Sequence, residues 1–396
     1  MSDRLRIIVT GLIAQYPLGG VTWDYIQYVA GLARLGHDVY YIEDTGQWPY
    51  NPDESGIGKD CTYNVEYLAR VMSRFGLEER WAYRFPWESK WFGLSDERRE
   101  EVVTSSDLLI NVSGTLERPQ DYRSARRMAY IDSDPVFTQV KLARGQRDLR
   151  AMIDVHDVHF SFGERIGAFE PETGHAWQPT RQPILLDQWT NNVHPRDAFT
   201  TVMNWTSYNE VTHDGTTYTQ KDVEFRRFID LPAAVTPTQL EVAMAAGRTR
   251  HAPHDLLKHH GWKIVDPAQV CATLDDYRAY LQGSRAEWSV AKGGYVSGQA
   301  AWFSCRSACY LAAGRPVVVQ DTGFGAVLPV GLGIVPFATR DEAIAGIRAV
   351  DEHYAAHADA AREIAEQYFD STRVLGALVE QAMAPITSRE LQETAP

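Results

Sequence analysis

The chain has 396 residues, which is too long for one compact hydrophobic core and predicts two domains of about 150 to 200 residues each. Its formal net charge of -13 excludes a general electrostatic attraction to nucleic acid or to anionic membranes, so nucleic acid is not an expected partner. The hydrophobic content of 44% fits ordinary globular cores, and soluble small-molecule chemistry is the better expectation.

The chain begins with a short polar segment that lacks the apolar region and cleavage site of a signal peptide. No stretch approaches the ~20 apolar residues that cross a bilayer. The four cysteines form no CxxC pair, and no histidine or second cysteine pair is placed to complete a tetrahedral metal site around Cys305 and Cys309. We therefore expect a cytoplasmic protein without a bound metal.

The N-terminal segment predicts a strand, a helix and a second strand. Residues 7–13 form an apolar run of strand length, residues 23–35 carry apolar side chains at helical spacing, and residues 38–42 have the pattern of a buried strand. A βαβ unit of this length implies a right-handed crossover in a parallel sheet.

The same alternation continues through the first half. Residues 61–75 predict a helix, and residues 108–112 and 128–131 predict buried strands. In open parallel sheets ligands bind at the carboxyl edge of the strands, where Asp132 is expected to lie. Asp132 is thus a candidate to bind sugar or acceptor hydroxyls, with a turn or a helix cap as the alternative role.

A proline- and tryptophan-rich segment from 168 to 195 contains the predicted domain boundary. We expect an N-terminal domain at 1–195, a C-terminal domain at 196–380 and a tail at 381–396. Strands alternate with short helices in the second half, at residues 199–205, 241–246, 263–265 and 288–291. Helical periodicity covers 339–383, so both halves are predicted to be doubly wound α/β domains.

The most informative stretch is residues 298–323, which predicts a loop, a short helix, a Gly-Pro turn, a buried strand and a second loop. A helix N-terminus presents free N–H groups and a partial positive charge, and both favour a bound anion. The second loop is expected beside the same anion. The candidate anion-binding residues of this stretch are Ser304, Arg306, Ser307, Asp321, Thr322 and Gly323. A nucleotide or nucleotide-sugar is the expected ligand.

Two glycine motifs make the sequence resemble the GT-B glycosyltransferases. They are Leu18-Gly19-Gly20-Val21 after the first strand and Ala312-Ala313-Gly314-Arg315-Pro316 late in the second half, and the similarity runs over most of the chain. The resemblance implies two Rossmann-like domains facing across a cleft, with the acceptor on the N-terminal domain and the nucleotide-sugar donor on the C-terminal domain. It also implies metal-independent transfer of the sugar to a small-molecule or glycan hydroxyl, with no cofactor besides the nucleoside-diphosphate sugar.

The resemblance assigns roles in the first half. The Gly19-Gly20 loop would approach the sugar, although a tight turn is the alternative. Many relatives place histidine a few residues later, where this chain has Asp24, a candidate general base that is alternatively a helix cap. His159 is a second candidate base in a His-Asp-Val-His segment, with a structural histidine as the alternative.

In the second half, the resemblance assigns Lys221, Lys292 and Arg306 to the donor diphosphate, whose growing negative charge is the main electrostatic demand of this reaction. The alternative for Lys292 is an exposed surface lysine, and the alternative for Lys221 is an exposed helical ion pair with Glu224. Many retaining members carry a ribose-binding glutamate five residues before the glycine of the Gly-x-Pro motif, but this chain has Cys309 there. A thiol cannot replace that carboxylate, so we expect the ribose contact elsewhere, with Glu287 as a candidate.

Two other functions stay open at this point. One is a sugar-nucleotide 2-epimerase, which uses a similar pair of domains. The other is a catalytically silent nucleotide-sugar-binding protein, a hypothesis that the missing ribose glutamate favours. An oxidoreductase fits less well, because the first loop lacks the GxGxxG motif of dinucleotide-binding proteins.

Overall fold

The computed structural model describes residues 4–52, 56–168, 171–190, 192–249 and 251–385. The elements of the first half are β1 (Arg6–Thr10), α1 (Gly19–Arg34), β2 (Asp38–Glu43), β3 (Tyr50–Asn51), β4 (Gly56–Ile57), α2 (Thr62–Arg74), β5 (Trp81–Phe85), β6 (Lys90–Gly93), α3 (Asp96–Thr104), β7 (Leu108–Val112), β8 (Met128–Asp132), α4 (Phe137–Ala143), α5 (Arg147–Asp154), β9 (Val158–Ser161) and β10 (Trp177–Pro179).

The second half begins with the long strand β11. Its elements are β11 (Ala198–Thr206), β12 (Val211–His213), β13 (Thr216–Tyr218), α6 (Lys221–Arg226), α7 (Leu231–Val235), β14 (Gln239–Gly247), α8 (His254–His259), β15 (Lys263–Val265), α9 (Pro267–Val270), α10 (Leu274–Gln282), β16 (Ala286–Ser289), α11 (Gly293–Gly298), α12 (Cys305–Ala312), β17 (Val317–Gln320), β18 (Ile334–Phe337), α13 (Arg340–Glu352), α14 (Tyr354–Ile364) and α15 (Ser371–Met383).

Each half is built on one parallel sheet. The first has the strand order β10-β9-β8-β7-β1-β2-β5-β6, and among its described strands only β6 runs antiparallel to its neighbour. The second has the order β15-β14-β11-β16-β17-β18. In chain order, six strands of each sheet follow the doubly wound order 3-2-1-4-5-6. The predicted fold class, two Rossmann-like domains, is confirmed.

Both sheets are buried on both faces, which explains their continuous apolar strands. The central strands β7 (LLINV) and β17 (VVVQ) are buried at every position, as parallel strands covered by helices must be. In the second half, Trp288 of β16 lies in ring contact with Phe225, Trp262 and Phe337. This tryptophan therefore packs helix α6 against one face of the sheet.

The two halves contact each other on both sides of their junction. The C-terminal helix α15 returns to the first half and packs on α1, where a Cβ at Gly31 would lie 2.5 Å from Leu375 Cδ1. The start of α1 in turn packs on α10, and Trp23 Nε1 donates to the Leu274 carbonyl at 3.0 Å. The carboxyl edges of the two sheets thus share one space.

In the described parts of the chain, no helix combines the length and the apolar character that a membrane span requires.

Candidate functional site

A cleft of about 1320 Å³ is lined by residues from both halves. The first half contributes the start of α1 and the segments that follow β7 and β8. The second half contributes the carboxyl ends of β11, β14 and β15 and the start of α12. Each sheet reverses its strand order at β1/β7 or at β11/β16, and such switch points open the crevice that binds ligands in this class of fold.

The wall formed by the second half is cationic. Lys221 is the first residue of α6, lines the cleft, and has no ion pair or hydrogen bond to its amine among the described residues. Burial lowers the pKa of Lys221 well below its usual value, and the charges of Arg306 and Lys292 lower it further. An anion in the cleft would offset the repulsion from these two cations and favour the ammonium form, so Lys221 is a candidate to bind phosphate.

The start of α12 opens onto the same wall. Ser304, Cys305 and Arg306 line the cleft, and no side chain in the described part of the chain caps the N-terminus of this helix. Arg306 Nε donates to Glu287 Oε1 at 2.6 Å and Nη1 donates to the Val202 carbonyl at 2.7 Å. These two bonds fix the guanidinium while Nη2 makes no hydrogen bond within the described chain, so the group can meet a ligand oxygen without reorganisation.

Glu287 does not face the cleft. Its side chain is fully buried in β16, and its carboxylate is ion-paired with Arg306. The interpretation of Glu287 as the ribose contact therefore needs correction, because a carboxylate behind the arginine cannot reach a sugar hydroxyl. Glu287 supports Arg306 instead.

Lys292 is engaged between the two halves. Its Nζ donates to Asp134 Oδ1 at 2.8 Å and to the Tyr208 hydroxyl at 2.9 Å, and Tyr295 also donates to Asp134. The ammonium lies 4.3 Å from the centre of the Tyr208 ring. Lys292 is absent from the cleft lining. The expected phosphate contact is replaced by a bridge to the N-terminal half, since the Asp134 carboxylate already satisfies this charge.

Asp24 lies in α1 and lines the cleft on the opposite wall. The helix begins at Gly19, so Asp24 is not its cap, and its carboxyl has no hydrogen bond from the described residues. Burial raises the pKa of Asp24 to about 7, and the charge of Arg306 opposes that rise. A carboxyl with a pKa near neutrality, facing a cleft, has the properties of a general base.

His159 is directed away from the cleft. Its Nε2 lies 3.2 Å from the Ile153 carbonyl, and its ring packs edge-on against His175 and Trp177. Burial, with the charge of His175, lowers the pKa of His159 to about 4. The alternative of a structural histidine fits this position, and His159 is not part of the site.

Asp132 is buried at the end of β8 and serves the turn that follows. It accepts hydrogen bonds from Thr138 Oγ1 at 2.7 Å, Gln139 Nε2 at 3.0 Å and the Asp134 amide at 3.0 Å. Burial raises the pKa of Asp132 to about 6, while these hydrogen bonds lower it. With its lone pairs used inside the protein, Asp132 is not available to an acceptor.

The loop after β17 contacts protein rather than the cleft. Asp321 Oδ1 accepts from the Gly323 amide at 2.9 Å, and Thr322 donates to the Trp302 carbonyl. Gly323 has a φ of 87°, and a Cβ there would lie 2.7 Å from the Gln299 carbonyl oxygen. Thr322 and Ser307, which is 1% exposed, border a small cavity of about 20 Å³ that shares Trp302, Ser304 and Arg306 with the cleft. Ser307 and residues 321–323 do not line the cleft, so they are not placed to make the expected phosphate contacts there.

Gly19 and Gly20 are the first two residues of α1, so the predicted loop is wrong here. The Gly19 amide donates to the Cys271 carbonyl at 2.7 Å, and a Cβ on Gly19 would lie 2.1 Å from the Thr273 carbonyl oxygen. Gly20 lines the cleft, whereas Gly19 lets the helix approach the second half. The missing side chain at Gly19 therefore serves domain packing.

Replacing Gly19 by alanine is expected to destabilise the protein by about 1–3 kcal/mol, because the new methyl group meets backbone that cannot move aside. Gly376→Ala is the matched control: it lies in α15, where an added Cβ would meet nothing within 4 Å, and should be neutral or stabilising by about 1 kcal/mol or less. Denaturant unfolding measures both. Equal stability of the two variants would contradict the close packing at Gly19.

Sequence reasoning missed most of the wall formed by the first half. Ser113 and Ser133 line the cleft where β7 and β8 end, and the rule that selected Asp132 applies equally to them. Tyr25 follows Asp24 on α1 and also lines the cleft. Gln182 lies in an irregular segment, where no pattern in the sequence marks it.

Among the described residues, no group of three His, Cys, Asp or Glu side chains is arranged to hold a metal ion.

No protein-family profile and no curated protein matches this sequence. Solved structures do match. HepE from Anabaena in complex with UDP-glucose superposes with a TM-score of 0.59 at 12% identity over 96% of this chain and 99% of that chain. Sucrose-phosphate synthase from Thermosynechococcus elongatus gives 0.53 at 13% identity over 99% and 100%. An alpha-glucosyltransferase in complex with UDP and a 13-mer DNA gives 0.54 at 10% identity over 97% and 100%.

The chain has the GT-B fold. The structural likeness covers nearly all of the chain, and the expected resemblance in fold is confirmed. In this GT-B chain, the cleft holds Lys221 and Arg306 on one wall and Asp24 on the other.

Proposed function

We propose that this GT-B chain is a glycosyltransferase that moves a sugar from a nucleoside-diphosphate sugar to a hydroxyl-bearing acceptor without a metal ion. One observation carries the proposal: the cleft places two cationic side chains, Lys221 and Arg306, opposite a partly buried carboxyl, Asp24, whose pKa is raised to about 7. Transfer needs positive charge at the leaving group and a base at the acceptor. The HepE complex with UDP-glucose supports a donor of this class.

The cationic wall would bind the donor diphosphate. Lys221, Arg306 and the uncapped start of α12 converge on one side of the cleft. When the bond between the sugar and the diphosphate breaks, its electron pair leaves with the phosphate oxygen, and preorganised cations stabilise the new charge. On this account the segment 196–380 is the donor domain and the segment 1–195 is the acceptor domain.

Asp24 would act as the general base. Its carboxylate accepts the proton of the acceptor hydroxyl while that oxygen forms the new bond to the sugar carbon. A pKa of about 7 gives a base that is substantially ionised at neutral pH and still has driving force for proton transfer.

Glu287 and Cys309 leave the ribose without the contact expected from the family resemblance, because both side chains are buried. This is the observation that favours a nucleotide-sugar-binding protein without turnover as the second candidate. A 2-epimerase would need a base that acts on the sugar itself rather than on an acceptor hydroxyl.

Release of nucleoside diphosphate from UDP-, GDP- and dTDP-sugars, with and without a pool of hydroxyl acceptors, separates the three functions. We expect release that depends on acceptor and a glycosylated product by mass spectrometry. An epimerised sugar nucleotide from donor alone would establish the epimerase, and donor binding without either product would establish the silent binder.

A further inference from the structure

The wall formed by the first half differs sharply in charge from the opposite wall. Among the described residues, the side chains of the first half that line the cleft include one carboxyl, Asp24, and no lysine, arginine or histidine. These lining residues are Leu18, Gly20, Val21, Asp24, Tyr25, Tyr50, Pro52, Val112, Ser113, Ser133, Phe162 and Gln182. The second half contributes four basic side chains, Lys221, His254, Lys258 and Arg306, and one acidic side chain, Asp266. Positive charge is therefore confined to the proposed donor side.

The arginine closest in sequence to this wall is turned away from it. Arg181 precedes the lining residue Gln182, but its guanidinium is ion-paired with Glu164 and lies 5.6 Å from the centre of the Tyr368 ring and 5.7 Å from that of Phe369. These contacts engage the Arg181 guanidinium outside the cleft. A ligand at the acceptor wall would meet no counter-charge from Arg181.

Apart from Asp24, the polar groups on this wall are neutral. Ser113 and Ser133 share a hydrogen bond of 2.6 Å between their hydroxyls, and each oxygen keeps capacity for a further bond. Gln182 Nε2 donates to the Asp24 carbonyl at 3.0 Å and ties the irregular segment to α1. Tyr25 and Phe162 add apolar surface beside these hydroxyls. A ligand ring that carries hydroxyls on its edge and has an apolar face would match these hydroxyl groups and this apolar surface.

An anionic acceptor would be penalised at this wall. Its phosphate or carboxylate would lose water without gaining a cation from this wall, and Asp24, once ionised, would repel it. We propose that the acceptor is an uncharged hydroxyl compound of the sugar or glycoside class. This inference rests on the proposed function, since it assigns the first-half wall to the acceptor.

Matched glycoside pairs test the proposal. Nitrophenyl β-glucoside and nitrophenyl β-glucuronide differ in a single carboxylate, and glucose and glucose 6-phosphate differ in a single phosphate. Saturation-transfer NMR with the full-length protein and UDP present reports binding. We expect binding of the neutral members at least tenfold tighter than that of their anionic partners. Tighter binding of an anionic member, or no binding of any neutral member, would overturn the proposal.

A gain-of-charge variant provides the second arm. Ser133→Lys adds a cation to the acceptor wall and should raise the affinity of the anionic members at least tenfold, and Val21→Lys on α1 serves the same purpose if the first variant does not fold. No gain in a folded variant would contradict the wall's assignment. UDP binding, measured in the same samples, separates the proposed function from the proposed acceptor class. Failure of UDP to bind would refute the proposed function. If UDP binds but the anionic acceptors bind more tightly than the neutral ones, only the acceptor class is refuted.

Discussion

Asp24→Asn is expected to lower kcat for sugar transfer by about 10²–10⁴-fold while the affinity for the donor changes little. The amide has nearly the same shape but cannot accept the acceptor proton. Steady-state kinetics with saturating acceptor, together with donor titration, separate the two effects. Asp187→Asn, an exposed carboxylate of the same half that pairs with Arg34 outside the cleft, is the control and should retain full activity.

The raised pKa of the Asp24 carboxyl leads us to expect opposite pH dependences for activity and stability. A general base must be ionised, so kcat/KM of the wild type should rise with pH through about 7. The folded pKa lies above the unfolded value of 3.8, so native Asp24 holds a proton that the unfolded chain has lost, and its contribution to stability disappears as pH rises toward 7.

Asp24→Asn should therefore gain in Tm relative to the wild type between pH 5 and pH 8, at the same time as it loses activity. Thermal unfolding at both pH values measures this difference. A variant that is inactive and also less stable at pH 8 would point to a structural role for Asp24 rather than to a catalytic one.

Lys221→Met should lower kcat/KM for the donor by about 10²–10³-fold, the loss expected when one preorganised group that stabilises developing charge is removed. Methionine keeps most of the apolar stem, so the effect comes from the ammonium. Kinetics with varied donor concentration measures it, and Lys90→Met, an exposed lysine of the first half, is the control.

Because burial lowers the pKa of Lys221, donor affinity of the wild type should fall as pH rises through that pKa, and the variant should not show this fall. Calorimetric titrations at several pH values below the usual lysine pKa compare the two proteins. Parallel pH dependences, or an unchanged kcat/KM, would remove Lys221 from the donor site.

The architecture was largely predictable because parallel strands buried on both faces have an unmistakable apolar pattern. The predicted segments 108–112 and 263–265 coincide with β7 and β15, and 61–75 lies within one residue at each end of α2. The loop predicted at the glycine pair is wrong because the conformation of Gly19 depends on its contact with Thr273, more than 250 residues away in sequence. No local pattern reports such a contact.

Only some of the predicted site residues line the cleft, for a related reason. The resemblance to GT-B glycosyltransferases pointed to Asp24 and Lys221, and the predicted start of a helix pointed to Arg306; all three line the cleft. Lys292, Glu287 and Asp132 were candidates on similar grounds, yet each is neutralised or hydrogen-bonded by a partner from a distant segment. Whether a charged side chain faces a ligand or another residue is decided by tertiary packing.

Binding of nucleoside diphosphates to the wild type and to Lys221→Met, measured by calorimetry and thermal shift with UDP, GDP and dTDP, tests the diphosphate site most directly. At a ligand concentration of 100 times Kd, binding stabilises the native state by about 2.7 kcal/mol. We expect that at least one diphosphate binds the wild type with one site per chain and that Lys221→Met loses most of this affinity. No binding of any diphosphate to the wild type, or equal binding to the variant, would contradict this expectation.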